Sequence, residues 1–120
     1  MAFKFEKLLV WQKAADLSEM VNDLVKKFPK NELYILSSQF KRAADAISLN
    51  IAEGSTGQSN PEFCRFLGYA LRSDIEVVGC LHLAWRRRYI TSDEFDVLYQ
   101  KCEELLVMIQ ALQKSLGRNQ

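Results

Sequence analysis

The chain has 120 residues, of which 48% are apolar and 26% charged, and 16 basic against 15 acidic residues leave a net charge of +1. That is one domain's worth of sequence with enough apolar material for a core, which excludes a disordered chain. The balanced charge carries no general argument for nucleic acid, so any such argument has to come from local clustering.

No run approaches the roughly 18 apolar residues of a membrane span, and residues 1–7 are too mixed for a signal peptide. The three cysteines, Cys64, Cys80 and Cys102, are odd in number and widely spaced. A disulfide framework or zinc site is therefore not expected, and we expect a cytoplasmic protein with reduced thiols.

Spacings of three and four predict a single all-α domain over residues 1–120, with helices over about 6–27, 31–53, 60–88 and 92–116. The first carries Val10, Ala14, Leu17, Val21, Leu24 and Phe28 on one face, and Pro29 stops it. The second carries Leu33, Leu36, Phe40, Ala43, Ile47 and Ile51, with Asn31 as N-cap and Gly54 in the left-handed position past its end. Ser55 to Asn60 form a polar loop. Ser59 or Asn60 can cap the third helix, with Pro61 in its first turn and Glu62 three residues after Ser59 as in a capping box. The third stripe is Phe63, Phe66, Leu67, Ala70, Val77, Leu81 and Ala84. Thr91 and Glu94 form a second capping box. It opens a helix striped by Phe95, Leu98, Cys102, Leu105, Ile109, Leu112 and Leu116 and ended by Gly117. The last residues, 118–120, are expected to fray. Short connections predict an antiparallel up-down-up-down four-helix bundle.

The third helix has one apolar face too many. Ile75, Val77, Val78, Cys80, Leu81, Leu83, Ala84 and Trp85 surround it, whereas a bundle buries one stripe per helix. Gly68 and Gly79, three turns apart, would let a second backbone approach one side. A second copy of the chain is the economical cover. The alternative is a central helix whose glycines accommodate bulky neighbours.

No catalytic constellation is recognisable. His82 is the only histidine, in an apolar segment where a packed core residue is expected. No Glu-x-x-His pair supports a di-iron site. Gly54 and Gly57 read as a turn and not as a phosphate loop. No nucleophile lies beside a base. The expectation is a protein that is not an enzyme and uses no metal or cofactor.

Two polar sets remain. On the second helix Gln39, Arg42, Asn50 and Glu53 share a stripe beside the apolar one, facing Arg72, Ser73 and Glu76 of the third. Glu53 lies at a helix C-terminus, where the dipole disfavours an anion and a cation is expected to meet it. The set reads either as a network fixing helix register or a subunit contact, or as a small polar binding site. The second set is basic. In an antiparallel bundle Lys26, Lys27 and Lys30 share one end with Arg86, Arg87, Arg88 and Tyr89, a patch suited to phosphates and bases. The competing reading is dipole capping, diluted by Glu32, Asp93, Glu94 and Asp96.

Several stretches together resemble a known family. They are Phe5, Leu8, Val10, Trp11, Gln12 and Ala14; Phe28-Pro29 with Glu32, Tyr34, Leu36 and Gln39; Arg42-Ala43-Ala44, Ile47 and Asn50-Ile51-Ala52-Glu53-Gly54; Glu62-Phe63, Arg65-Phe66-Leu67, Ala70, Ser73 and Glu76; and Tyr89-Ile90. The chain is similar over nearly its whole length to the four-helix-bundle family first noted as reading frames in intervening sequences of bacterial 23S ribosomal RNA genes. Arg72 stands where that family commonly has Gly, and Ala46 where it commonly has Ser. The resemblance implies a bundle, a homo-oligomeric ring (a pentamer in relatives) and no established enzymatic activity. It implies no ribosomal role, since the name records where some genes sit. One branch, accessory proteins of diversity-generating retroelements, is strongly basic and engages nucleic acid; this chain is not. Two functions are weighed: an oligomer that binds RNA, or a nucleic-acid–protein complex, through its basic ends, and a purely protein-interaction or structural oligomer.

Overall fold

A computed structural model describes residues 1–57 and 59–117. Its α-helices are α1 (Leu9–Leu24), α2 (Leu36–Gly54), α3 (Asn60–Arg86) and α4 (Ser92–Ser115), and no strand occurs among the described residues. Short 3-10 turns at Lys4–Lys7, Val25–Lys27 and Lys30–Glu32 flank α1 and precede α2. The predicted fraying of residues 118–120 lies outside the described residues.

Long-range pairs fix the topology. Ser18 of α1 donates a hydrogen bond to Asp45 of α2, and Gln39 near the start of α2 reaches Glu76 late in α3. Gln113 near the end of α4 donates to the Cys64 carbonyl near the start of α3 at 3.3 Å. Lys13 and Lys27 of the first helical segment pair with Glu104 and Glu94 respectively. Early residues meet late ones at the α2–α3 and α3–α4 seams, the α1–α4 pairs run in opposite order, and Ser18 and Asp45 meet midway. The helices α1, α2, α3 and α4 thus form an antiparallel bundle, each packed on two neighbours. The molecule measures 43 × 27 × 21 Å, the long axis matching α3 at about 1.5 Å per residue.

All six stripe residues expected of the first helix are buried, as are Leu36, Phe40, Ala43, Ile47 and Ile51 of α2. Both predicted N-caps accept the N–H three residues on, but only Thr91–Glu94 closes as a capping box among the described residues. The Ser59 hydroxyl accepts from Glu62 N at 3.2 Å, and the Thr91–Glu94 box is reciprocal, at 3.1 and 2.8 Å. Gly117 takes φ 86°, the left-handed position past the end of α4.

The start of α2 differs from the sequence reading. Asn31 caps nothing; it lies within the 3-10 turn, and the helix begins five residues later behind Ile35, which makes no side-chain cap. Two residues on either side of the turn explain this. Phe28 packs against Phe40 at 6.2 Å and Tyr89 at 5.3 Å, and Glu32 turns inward. A helix from Asn31 cannot satisfy both, so the chain turns first and leaves Leu33, Tyr34 and Ile35 exposed. The first helix is also interrupted: extended Leu8 separates the Lys4–Lys7 turn, whose Phe5 packs edge-on to Trp11 at 4.8 Å, from α1.

Gly54 is not a left-handed residue but the last residue of α2. Its role is closeness. A Cβ there would stand 2.5 Å from Phe66 Cβ and 3.0 Å from the Phe63 ring on α3. Gly54→Ala is therefore expected to destabilise the fold by about 1–3 kcal/mol through overpacking, although alanine is the better helix former by about 1 kcal/mol. A lowered urea midpoint would show it, and an unchanged or raised midpoint would mean that α3 yields at no cost.

The α3 stripe skips from Ala70 to Val77, and the core position between them belongs to Asp74, which is 2% exposed. The Cys102 thiol hydrogen-bonds its carboxyl, while Asp74 Oδ1 has no partner among the described residues. Burial, opposed by that bond, lifts the carboxyl from an ordinary 3.8 to about 7. The folded state then holds this proton more tightly than the unfolded chain. Its stabilising contribution is complete below about pH 4 and is lost as pH rises through about 7. Urea midpoints are expected to fall across that window, and Asp74→Asn to flatten the fall and raise the midpoint at alkaline pH. A parent protein whose midpoint does not change across the window would refute this.

Candidate functional site

The ends of α1 and α3 do share one end of the bundle, but the six cations there are not equivalent. Glu32, buried, accepts from Arg87 Nη1 at 3.0 Å and from the Tyr89 hydroxyl at 2.7 Å. The Tyr89 hydrogen bond, helped by the Arg87 charge and opposed by desolvation, holds the Glu32 carboxyl below its usual range, and the same bond raises the Tyr89 phenol. Lys27 is engaged by Glu94, whose carboxyl is lowered chiefly by that contact and by the Thr91 N–H. Lys26 reaches Asp23 at 3.2 Å, an exposed pair of little energetic weight. Lys30, Arg86 and Arg88 have no ion pair among the described residues. Tyr89, expected as an open ring in the patch, instead packs inward on Phe28.

The free cations border two separate recesses. One, about 540 Å³, lies where α1 gives way to α2; Lys30, Lys41 and Arg42 line it with the Asp23-paired Lys26, the carboxylate Asp45 and the exposed Tyr34. The other, about 710 Å³, lies where α3 gives way to α4 and is lined by His82, Trp85, Arg86, Arg88, Ile90 and Phe95. His82 is exposed rather than packed in the core, because its position on α3 faces the start of α4 at the surface. It meets Phe95 edge-on at 5.1 Å and Tyr99 at 6.5 Å. Phe95 stacks on Tyr99 at 5.6 Å, and Trp85 leans on Phe95 at 6.1 Å. Sequence reasoning missed this cluster. Its signal was present in His82, Trp85 and Arg86 at helical spacing, but Phe95 and Tyr99 join only across the α3–α4 turn.

The polar stripe closes in one place. Gln39 Nε2 donates to Glu76 Oε2 at 3.3 Å, whereas Asn50 donates to the Ala46 carbonyl of its own helix at 2.8 Å. Arg42, Glu53 and Ser73 make no side-chain hydrogen bond or ion pair among the described residues, so the cation expected for Glu53 does not come from there. The outer surfaces of α2 and α3 also expose Ile35, Leu49, Tyr69, Ile75 and Leu83. Ile75 and Leu83 are 59% and 41% exposed, so the apolar surplus of α3 is uncovered in a single chain. A Cβ on Gly79 would meet nothing within 4 Å.

No group of three or more His, Cys, Asp or Glu residues suited to a metal occurs among the described residues. Burial pushes the Cys80 thiol up to about 11 and raises that of Cys102 as well, which keeps both protonated and unreactive at neutral pH. No helix among the described residues is long and apolar enough to cross a membrane.

Arg88 carries a backbone anomaly. The end of α3 reverses through a paired cap: Tyr89 N–H binds the Ala84 carbonyl at 2.9 Å and Arg88 N–H that of Trp85 at 3.0 Å. This motif needs a left-handed residue, normally glycine, and Arg88 fills it with φ 62°. The conformation costs a non-glycine residue about 1 kcal/mol or more. Arg88→Gly is expected to raise stability by about 1 kcal/mol, or a melting temperature about 4 °C higher for a domain of this size. An unchanged or lower melting temperature would mean that the Arg88 side chain offsets its own strain.

The comparisons with known proteins agree with the fold. A solved structure of a protein of unknown function from the S23 ribosomal protein family of Bacteroides thetaiotaomicron superposes with a TM-score of 0.81 at 26% identity, covering 88% of this chain and 99% of that one. No curated protein matches. Residues 6–111 match the family model described as 23S rRNA-intervening sequence protein, and the chain belongs to that family.

Proposed function

We propose that this protein is a non-enzymatic homo-oligomer that binds RNA, or a nucleic-acid–protein complex, through the basic ends of α1 and α3. The observation that carries the reading is the division of the cations. Glu32 and Glu94 occupy Arg87 and Lys27, while Lys30, Arg86 and Arg88 stand without an acid and remain available to phosphates. Arg88 holds the left-handed cap position where glycine would be unstrained, and it lines the recess where α3 gives way to α4. The uncovered Ile75 and Leu83, with open space beside Gly79, support assembly through α3. The ring and the number five rest on the family resemblance. The buried or half-buried thiols, all unpaired, support a cytoplasmic setting.

The purely protein-interaction reading is favoured by one observation, the net charge of +1. Binding of a fluorescent structured RNA across a salt series separates the two. The parent is expected to bind at low salt and weaken steeply as salt rises. Reversing Lys30, Arg86 and Arg88 to Glu is expected to make the slope of log K against log salt shallower by about 2, with the mass by light scattering unchanged. A triple variant that binds as the parent does would remove the basic ends from the function. A parent that binds no RNA even at low salt would leave the protein-interaction oligomer.

A further inference from the structure

We infer that the recess between the last turn of α3 and the start of α4 is a base-stacking subsite for single-stranded nucleic acid, in which Trp85 receives one unpaired base and Arg86 and Arg88 hold the flanking phosphates. The inference rests on the RNA-binding reading above and deepens it by naming the ligand's form and the side chain that reads it.

Three independent features meet there. The first is an aromatic platform. Phe95 stacks on Tyr99 with 20° between the rings, His82 stands edge-on to both, and Trp85 leans on Phe95. Trp85 is thereby supported from α4 and still leaves 44% of its surface to solvent. A large ring held in place but half uncovered loses little freedom on receiving a second ring. The second is charge. The lining includes Arg86 and Arg88 and no carboxylate, although Asp93, Glu94 and Asp96 follow within one turn. Lys27 takes up Glu94 on the opposite side of the α4 start, away from the recess. The third is the left-handed Arg88. Glycine would fit that cap without strain, and a strained residue kept beside a cavity points to its side chain.

The chemistry selects the ligand. A volume of about 710 Å³ falls within the range that small ligands occupy. A base exposes its faces for stacking only when it is not within a helix, and side chains stack on bases of single strands and loops. Two guanidinium groups in the same lining suit phosphate oxygens on one strand. An acidic peptide would satisfy Arg86 and Arg88 but would leave the aromatic platform unused.

The test compares two short single strands of equal charge, one built wholly of abasic sugar-phosphates and one with a single central adenine. The 120-residue chain is expected to bind the adenine strand roughly tenfold more tightly, the gain typical of one stacked base. Trp85→Ala is expected to abolish the gain while still binding the abasic strand, and Trp85→Phe to keep most of it. In a Trp11→Phe background, Trp85 emission should be quenched by the adenine strand alone. Arg88→Gly should weaken both strands in spite of its gain in stability. Equal binding of the two strands, or a gain that persists in Trp85→Ala, would overturn the stacking subsite while salt-sensitive binding of the abasic strand upheld the basic ends. Displacement by polyglutamate with no benefit from adenine would assign the recess to an acidic protein instead. Failure of both strands to bind at low salt would overturn this inference and the reading beneath it.

Discussion

Glu32 is a buried carboxylate at the end of the bundle, and the partners it draws in decide what that end presents to solvent. Its two hydrogen bonds pull Arg87 and the Tyr89 hydroxyl toward α2, and Phe28 receives the Tyr89 ring. With Arg87 and Tyr89 both committed to Glu32, the residue between them reverses the chain. Arg88 does so at φ 62° and points elsewhere. One buried acid thus requires the helix α3 to end where it does and sorts consecutive arginines into structural and available ones. It also disturbs the other side of the junction. Because Glu32 and Phe28 both face inward, the chain cannot begin α2 at Asn31, and the delay leaves Leu33, Tyr34 and Ile35 outside the core.

The bundle was legible in the sequence wherever structure is set by neighbours along the chain. Three-four spacing of apolar residues identified the core stripes of α1, α2 and α4, and the Thr91–Glu94 box located the start of α4 to the residue. The division of the cations was not legible, because it depends on pairs far apart in sequence: Glu32 with Arg87, and Lys27 with Glu94. Sequence showed six cations and four nearby acids, but not which would meet. Gly54 illustrates the same limit. Local chemistry gives a glycine after a helix one meaning, a left-handed cap, yet here the nearness of Phe63 and Phe66 supplies another. His82 sat among apolar neighbours and was read as core. The sequence of one helix cannot say which of its apolar sides will find a partner within the chain.

Three features of this protein run against stability: a carboxylate in the core, a left-handed arginine, and large apolar side chains left on α3. They differ in what they imply. Asp74 is met by a thiol alone, a weak hydrogen-bonding partner, and is buried on α3 against Cys102 of α4, lining neither of the two recesses described above. Its cost belongs to the core and bears on pH rather than on binding. Ile75 and Leu83 lie on an open surface, an apolar area that another protein surface can cover. Arg88 lies beside a cavity. Position, and not the size of the penalty, separates a fault in packing from a site.

Net charge is a poor guide to such a molecule. A total of +1 describes a sphere with charge spread evenly, whereas Lys30, Arg86 and Arg88 form no ion pair among the described residues. The two recesses that carry cations share no lining residue, so one chain offers two small surfaces instead of one large patch. Weak sites gain strength by repetition. If copies assemble through the α2–α3 surface, each contributes its own pair of recesses, and a strand that engages several at once binds far more tightly than any single contact allows, provided the spacing lets it reach them together. In that arrangement the uncovered apolar residues of α3 and the unpaired arginines at its end are parts of one mechanism: the first sets the spacing at which the second are presented.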